Sequence, residues 1–125
     1  MLDTHVLAWW LLDDRRLSAP SRAAIAEGDN EIAASAVSAF EIATKYRLGK
    51  WPEAAQLAGD FEKYVMAERF FLLPISPSHA LLAGQMTGHH KDPFDRLLAA
   101  QSKIETLVFV TADKAFDGFD IERLW

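Results

Sequence analysis

HKDPFDRLL, residues 90–98, predicts the start of a helix and places two carboxylates at that start. Pro93 suits the first helical position, because its fixed φ is helical and the N–H that it lacks would be unpaired there. Asp92 then precedes the helix and can accept a backbone N–H as its N-cap. Asp95 follows three residues later, about one turn away. These features are typical of helix starts, but Asp95 is also a candidate metal ligand if further acids lie near it.

The composition is that of an ordinary globular domain. The chain has 125 residues, of which half are hydrophobic and a quarter charged, enough to bury a core in one domain. It has no cysteine, which excludes disulfides, thiolate zinc sites and cysteine nucleophiles. No apolar run approaches the ~20 residues that span a bilayer, and the start MLDTH lacks the basic segment of a signal peptide. We therefore expect one domain over residues 1–125, in the cytoplasm and not in a membrane.

The net charge argues against a broad nucleic-acid-binding face. Thirteen lysines and arginines stand against eighteen acids, which gives −5, whereas proteins that bind nucleic acid through a basic face show the opposite balance. A chain of this charge that acts on a phosphate polymer needs metal ions or a local basic patch. The candidates for such a patch are Arg47, Lys50, Lys91 and Arg96.

Short apolar runs alternate with helical segments along the chain. The predicted helices cover residues 4–12, 18–26, 36–48, 56–69, 78–86 and 93–104, with Ser18 as the cap of the second, Ser35 or Ser38 as the cap of the third and Ser78 as the cap of the fifth. The predicted strands are Met1–Asp3, Glu31–Ser35, Phe70–Ile75, Leu107–Thr111 and Ile121–Leu124. The third is apolar enough for a buried strand, and the fourth is the clearest buried strand. This alternation predicts an α/β fold with a mainly parallel sheet covered by helices on both faces. Because the first strand is so short, we expect either a stub or a natural start upstream of Met1.

Four acids fall at one predicted edge of this sheet. Ligands of open α/β sheets bind beyond the carboxyl ends of the strands. Asp3 and Asp113 follow predicted strands, Asp95 begins a helix, and Glu41 lies near the start of the helix after a strand. Carboxylates held together without a cation repel each other. A hard divalent cation such as Mg²⁺ or Mn²⁺ relieves this repulsion and serves phosphoryl chemistry by activating and orienting a water.

Each acid also has a simpler structural interpretation. Asp3 can cap the following helix, with Thr4 as a competing cap. Glu41 can pair with Lys45, four residues further along the helix. Asp113 can cap a turn. Singly these interpretations are favoured, whereas four acids at one edge favour a metal site.

Several polar residues could support such a site. Thr4, Ser38 and Thr111 could hydrogen-bond a carboxylate or a bound water, although capping explains the first two equally well. Lys45 could contact a phosphate or orient Glu41, and Asp92 could assist the metal site, although a cap is its simpler role. The adjacent His89 and His90 could touch a phosphate polymer, or simply belong to a surface loop.

Four motifs in register resemble a known family. They are LDTHVLAWWL at residues 2–11, SAFEIATKYRLGK at 38–50, HKDPFDRLLAAQ at 90–101 and TADKAF at 111–116. Each motif alone is weak, but their order and spacing resemble PIN-domain proteins, and most of all the VapC toxins of bacterial toxin–antitoxin pairs. The resemblance covers essentially the whole chain.

The resemblance implies a function and a site. PIN domains are metal-dependent ribonucleases with a parallel sheet of about five strands, and their acidic set corresponds to Asp3, Glu41, Asp95 and Asp113. VapC toxins cut RNA, commonly tRNA or ribosomal RNA, are neutralised by a VapB antitoxin, and usually form dimers. Two departures stand out: fewer apolar residues precede the first aspartate, and Asp117 could share or replace the role of Asp113.

The sequence therefore predicts a Mg²⁺- or Mn²⁺-dependent endoribonuclease with the α/β fold of a PIN domain. Two alternatives stay open. One is a catalytically inactive PIN-like binding module, which metal binding would test. The other is a receiver-like Mg²⁺-dependent phosphoacceptor, which acetyl phosphate labelling would test; Asp113 and Lys114 fit that pattern poorly because they are adjacent.

Overall fold

The chain folds around short parallel strands. A computed structural model describes residues 1–87 and 91–125, so that His89 and His90 lie outside the described residues. The strands are β1 (Ala33–Ser35), β2 (Phe71–Leu73), β3 (Phe109–Val110) and β4 (Arg123–Leu124). β1 pairs with β2 and β3 pairs with β4, both in parallel.

The first three residues join the two pairs of strands. The Leu2 N–H donates to the Ala33 carbonyl at 3.0 Å, and the Asp3 N–H donates to the Val110 carbonyl at 3.0 Å. The Val110 N–H in turn donates to the Met1 carbonyl at 2.9 Å, and Leu2 bridges Val110 in parallel. The strand order is therefore β2, β1, the Met1–Asp3 segment, β3 and β4. This is the expected parallel sheet, with four short strands and a stub at its centre.

Six helices of the described residues surround the sheet. They are α1 (Thr4–Leu11), α2 (Ala19–Ala26), α3 (Ala36–Arg47), α4 (Ala55–Ala67), α5 (Pro77–Gln85) and α6 (Pro93–Ile104), with short 3-10 helices at Pro52–Ala54 and Lys114–Phe119. The caps explain several of these starts. Ser35 accepts the Val37 N–H at 2.9 Å and is the cap of α3. Asp92 caps α6 as expected, since its Oδ1 accepts the Phe94 N–H at 2.8 Å.

Successive residues of a strand point to opposite sides of the sheet, so these apolar segments present side chains on both faces. Helices cover both of these faces. On one face, Met1, Ala33 and Phe109 pack in a core with Leu98 and Ala99 of α6. On the other face, the next residue of each segment (Leu2, Ala34 and Val110) packs in a second core with α1 and α4. The helices contribute Val6, Leu7 and Val65 to this core. The predicted three-layer α/β architecture is therefore confirmed.

Three local predictions were wrong. The strand predicted as buried over Leu107–Thr111 is limited to Phe109–Val110, and Val108 before it is 40% exposed. The cap of α5 is Ser76 and not Ser78, because Pro77 takes the first helical position and His79 completes a capping box with Ser76. β2 is not a buried strand, since Phe71 is 41% and Leu72 is 36% exposed. Among the described residues, β2 pairs only with β1 and so lies at the edge of the sheet, where one of its sides has no neighbouring strand.

None of the helices within the described ranges is long and apolar enough to cross a membrane.

Candidate active site

Asp3 lies at the carboxyl end of the central stub and is almost fully buried, with 6% of its surface exposed. It occupies the N-cap position of α1, but its side chain makes no capping hydrogen bond. Instead its Oδ2 accepts a hydrogen bond from the Thr111 hydroxyl at 2.9 Å. Asp3 is therefore the N-cap residue of α1 by position, as that interpretation expected, but its carboxylate faces the end of β3 and makes no capping hydrogen bond.

The pKa of Asp3 is raised above its usual range, chiefly because burial penalises the charged form. The negative charge of Glu41 raises the pKa further, while the Thr111 hydrogen bond and His5 lower it. The charge of Glu41 therefore acts on Asp3, and the structure brings these two predicted acids together.

Glu41 lies on α3 with 5% of its surface exposed. Its Oε1 is 2.6 Å from the Nζ of Lys45, the predicted partner one turn later. Its Oε2 is buried and has no hydrogen-bond partner within residues 1–87 and 91–125. A buried carboxylate oxygen without a partner is costly, so this atom is suited to receive a cation.

Asp95 is half-buried in the first turn of α6. The helices α3 and α6 pack against each other. The rings of Phe40 and Phe94, the residues directly before Glu41 and Asp95, meet edge-on with centroids 5.3 Å apart. The packing therefore brings the helical segments that carry Glu41 and Asp95 together.

Asp113 and Asp117 both follow β3 but have different surroundings. The Asp113 N–H donates to the Thr111 hydroxyl at 3.1 Å, so that Thr111 links the backbone of Asp113 to the side chain of Asp3. The exposed carboxylate of Asp113 accepts the Ala115 N–H at 2.8 Å and caps the following 3-10 helix. Asp117 is also exposed, and its Oδ1 is 2.7 Å from Nε of Arg123. Of the two candidates for the fourth acid, Asp113 is the one tied to Asp3.

The remaining polar candidates fall into two groups. The buried Thr4 hydroxyl donates to the Ser38 hydroxyl at 3.0 Å and links the starts of α1 and α3, beside Asp3 and Glu41. Asp92 is exposed, and its Oδ1 accepts the backbone N–H groups of Phe94 and Asp95. Thr4 and Ser38 thus support the site from within, whereas Asp92 fixes the start of the helix that carries Asp95.

The acids do not form a complete metal-binding cluster by themselves. Within residues 1–87 and 91–125, no three histidine, cysteine, aspartate or glutamate side chains converge as they would around an ion. Lys45 instead balances the charge of Glu41, and Thr111 hydrogen-bonds Asp3. Carboxylate oxygens are nevertheless the ligands that Mg²⁺ and Mn²⁺ prefer. The unpartnered Oε2 of Glu41 and the raised pKa of Asp3 fit such an ion.

One member of the expected basic patch has a structural role. The Arg96 side chain donates hydrogen bonds to the carbonyls of Ala83, at 2.8 Å, and of Gly84 and Met86. These groups lie at the end of α5, where carbonyls lack partners within the helix. Arg96 therefore binds the end of α5, which the sequence pattern did not reveal.

Sequence reasoning also missed two aromatic residues beside the acids. The rings of His5 and Trp51 stack with centroids 5.0 Å apart. The Nζ of Lys45 is 3.4 Å from Nε2 of His5, so this stack adjoins the Glu41–Lys45 pair. The position of His5 in the helix, two residues after Asp3, could have indicated that it lies beside the acids. Nothing in the sequence indicated this for Trp51.

Comparison with known proteins agrees with the fold and with the predicted family. A family model described as the PIN domain matches residues 1–122. The ribonuclease VapC22 of Mycobacterium tuberculosis is 33% identical over 117 residues, which cover 91% of this chain and 86% of that protein. In a crystal structure of VapBC2 from Rickettsia felis bound to a DNA fragment from their promoter, one chain superposes with a TM-score of 0.70. The two chains are 16% identical, and the match covers 99% of this chain and 96% of that one.

Proposed function

The chain belongs to the PIN-domain family, and on this premise we propose that it is a metal-dependent endoribonuclease, the toxin of a VapBC-type toxin–antitoxin pair. The observation that carries the proposal is the pair of buried carboxylates, Asp3 and Glu41, at the carboxyl edge of the parallel sheet. Two buried acids at one place are unfavourable in a purely structural role. They suit a protein that binds a cation there, and the related VapC22 is a ribonuclease.

The proposed metal site uses the four acids that the sequence singled out. Asp3, Glu41, Asp95 and Asp113 would hold Mg²⁺ or Mn²⁺ through carboxylate oxygens. When bound, such an ion lowers the pKa of a water and stabilises negative charge on a phosphate. Thr111 orients Asp3 through its hydrogen bond, and Lys45 holds the Oε1 of Glu41. Asp117 stays outside the proposed set, since its carboxylate pairs with Arg123.

Water is the proposed nucleophile. The chain has no cysteine, and the hydroxyls of Thr4, Ser38 and Thr111 at this edge are engaged in hydrogen bonds with each other or with Asp3. The oxygen of the water would bond to phosphorus as the bond from phosphorus to the ribose oxygen opposite breaks, and a proton of the water would end on that ribose oxygen, so that the products are two RNA fragments. Lys45 lies close enough to Glu41 to help balance the charge of the incoming phosphate.

The proposed partners follow from the same family. The likeness of the fold to the VapBC2 structure supports a VapB-like antitoxin as the partner that restrains the enzyme. We further propose a homodimer, and an RNA substrate such as tRNA or ribosomal RNA. We also propose that the protein acts in the cytoplasm, where its RNA target and antitoxin would be.

Incubation of the purified protein with total cellular RNA tests this proposal. Discrete fragments should form with Mg²⁺ or Mn²⁺ and disappear with EDTA. Addition of a candidate VapB protein should suppress them. Absence of both cleavage and metal binding would contradict the proposal and favour a PIN-like module that only binds.

A further inference from the structure

A cleft of about 600 Å³ lies next to the candidate active site. Its volume is within the roughly 300–1,000 Å³ of ligand pockets. His5 and Trp51 line it, and their planes lie 24° apart in a stacked arrangement. Trp9 lines it as well, with its ring centroid 6.1 Å from that of His5. Three aromatic rings therefore form a row along one cleft, which we call the aromatic cleft.

Lys45 connects the aromatic cleft to the acids. Its Nζ is 2.6 Å from Oε1 of Glu41, 3.4 Å from Nε2 of His5 and 5.7 Å from the centre of the Trp51 ring. The ammonium group of Lys45 therefore lies between a ligand in the cleft and the carboxylate of Glu41.

The cleft also carries a cation that the protein does not use internally. Arg16 and Lys45 line it, but their charges are engaged by Asp14 and Glu41 respectively. Lys50 lines it too and is exposed. Asp14 and Glu53 also line the cleft, but the ammonium group of Lys50 makes no ion pair with either of them or with any other acid in the part of the chain that the structure describes, so it can meet an external anion.

We propose that the aromatic cleft binds an unpaired RNA base beside the cleaved phosphate. The base extends the His5–Trp51 stack from its outer side, since the facing sides of those two rings lie against each other, and Lys50 contacts a neighbouring backbone phosphate. Sequence-tolerant proteins bind single strands by this combination of aromatic faces and cations. This inference rests on the proposed ribonuclease function and assigns the base beside the cleaved phosphate to the aromatic cleft.

The test separates base contacts from backbone contacts without needing the natural target. One fluorescent probe is a ten-nucleotide adenosine RNA, and the other is a ribose–phosphate chain of the same length without bases. Anisotropy titrations in EDTA keep the RNA intact. The unmodified protein should bind the adenosine RNA about tenfold or more tightly than the abasic chain, since stacking of each base contributes substantially.

Variants then assign the two contacts. Trp51→Ala should remove most of the preference for the adenosine RNA, and Trp51→Phe should keep much of it. Lys50→Gln should weaken binding of both probes to the same degree, since it contacts only the backbone. The matched control is Lys63→Gln, an exposed lysine on α4 that does not line the cleft, and it should change neither titration. Circular dichroism checks that each variant is folded.

The outcomes separate this inference from the proposed function. Equal binding of the two probes by the unmodified protein would overturn the inference, and so would an unchanged preference in folded Trp51→Ala. If the protein still cleaves cellular RNA with Mn²⁺ in those cases, the proposed ribonuclease function is retained, and the cleft would bind a protein partner instead of a base. If RNA is neither bound nor cut, the proposed function itself fails.

Discussion

The hydroxyl of Thr111 donates a 2.9 Å hydrogen bond to Oδ2 of Asp3, across 108 positions of sequence. The same hydroxyl accepts the N–H of Asp113 at 3.1 Å. Because the Met1–Asp3 segment and β3 are neighbouring parallel strands, their carboxyl ends meet at one edge. The sheet itself therefore sets the positions of the first and last acids of the proposed site.

Asp3→Asn should stabilise the metal-free protein at neutral pH. The folded-state pKa of Asp3 is raised, mainly by burial, so its contribution to stability is complete below the unfolded pKa of about 4 and is lost as pH rises through the folded pKa. Asparagine keeps an acceptor for Thr111 and has no charge. Urea unfolding in EDTA at pH 7 should show a gain of about 1–3 kcal/mol, typical of relieving a buried charge, and the gain should vanish below about pH 4.

The control for this prediction is Asp29→Asn, at an exposed position, where stability should hardly change. Mn²⁺ should stabilise the unmodified protein more than Asp3→Asn, because the variant lacks a ligand. A variant that is less stable than the unmodified protein at pH 7 in EDTA would contradict the view that Asp3 is held for function at a cost in stability.

Lys45→Gln should destabilise the protein in a way that Mn²⁺ relieves. Glu41 is almost fully buried, and Lys45 is its neutralising partner at 2.6 Å. Without that partner the carboxylate is left unpaired, which costs about 1–3 kcal/mol for a site at the edge of the interior. Thermal unfolding with EDTA and with Mn²⁺ measures both effects. The comparison is Lys63→Gln, whose exposed pair with Asp60 spans 3.7 Å. An equal loss in EDTA and in Mn²⁺ would argue against metal binding at Glu41.

Asp113 and Asp117 can be distinguished by the same substitution at each position. Asparagine at position 113 still caps the following 3-10 helix, so any loss reports the missing charge. We expect Asp113→Asn to lower RNA cleavage by at least about tenfold, in line with the loss of a metal ligand. Asp117→Asn removes only an exposed pair with Arg123 and should leave cleavage within about twofold. Initial rates of RNA cleavage with Mn²⁺ distinguish the two variants. A larger loss for Asp117→Asn than for Asp113→Asn would identify Asp117 as the fourth metal ligand.

The parts of the fold that depend on local chemistry could be predicted from the sequence. The start of α6 at Asp92 and Pro93, the cap at Ser18 and the stub at Met1–Asp3 all follow from residue types in short stretches. The parallel order follows from the alternation of strands and helices. The exposure of β2 could not be predicted, because an edge position depends on which strands pair and not on how apolar a strand is.

The same division holds for the candidate site. The four acids could be selected because they fall at predicted strand ends and helix starts. Their surroundings depend on long-range packing, such as the Thr111 hydroxyl on Asp3 and the stack of His5 on Trp51. The Arg96 side chain was expected near phosphate but binds the end of α5, since sequence spacing does not show which free carbonyls an arginine can reach. The metal and the catalytic roles of the acids remain predictions.

Cleavage of RNA by two variants from the start of α6 tests the account most directly. Asp92→Asn keeps a capping side chain, whereas Asp95→Asn removes a proposed metal ligand three residues later on the same helix. With Mg²⁺ or Mn²⁺, the unmodified protein and Asp92→Asn should release the same discrete fragments from cellular RNA. Asp95→Asn should be folded, as checked by circular dichroism, and should cleave RNA about 100-fold or more slowly. The unmodified protein should lose cleavage to the same degree in EDTA. A folded Asp95→Asn that cuts RNA at the full rate would contradict the proposed site.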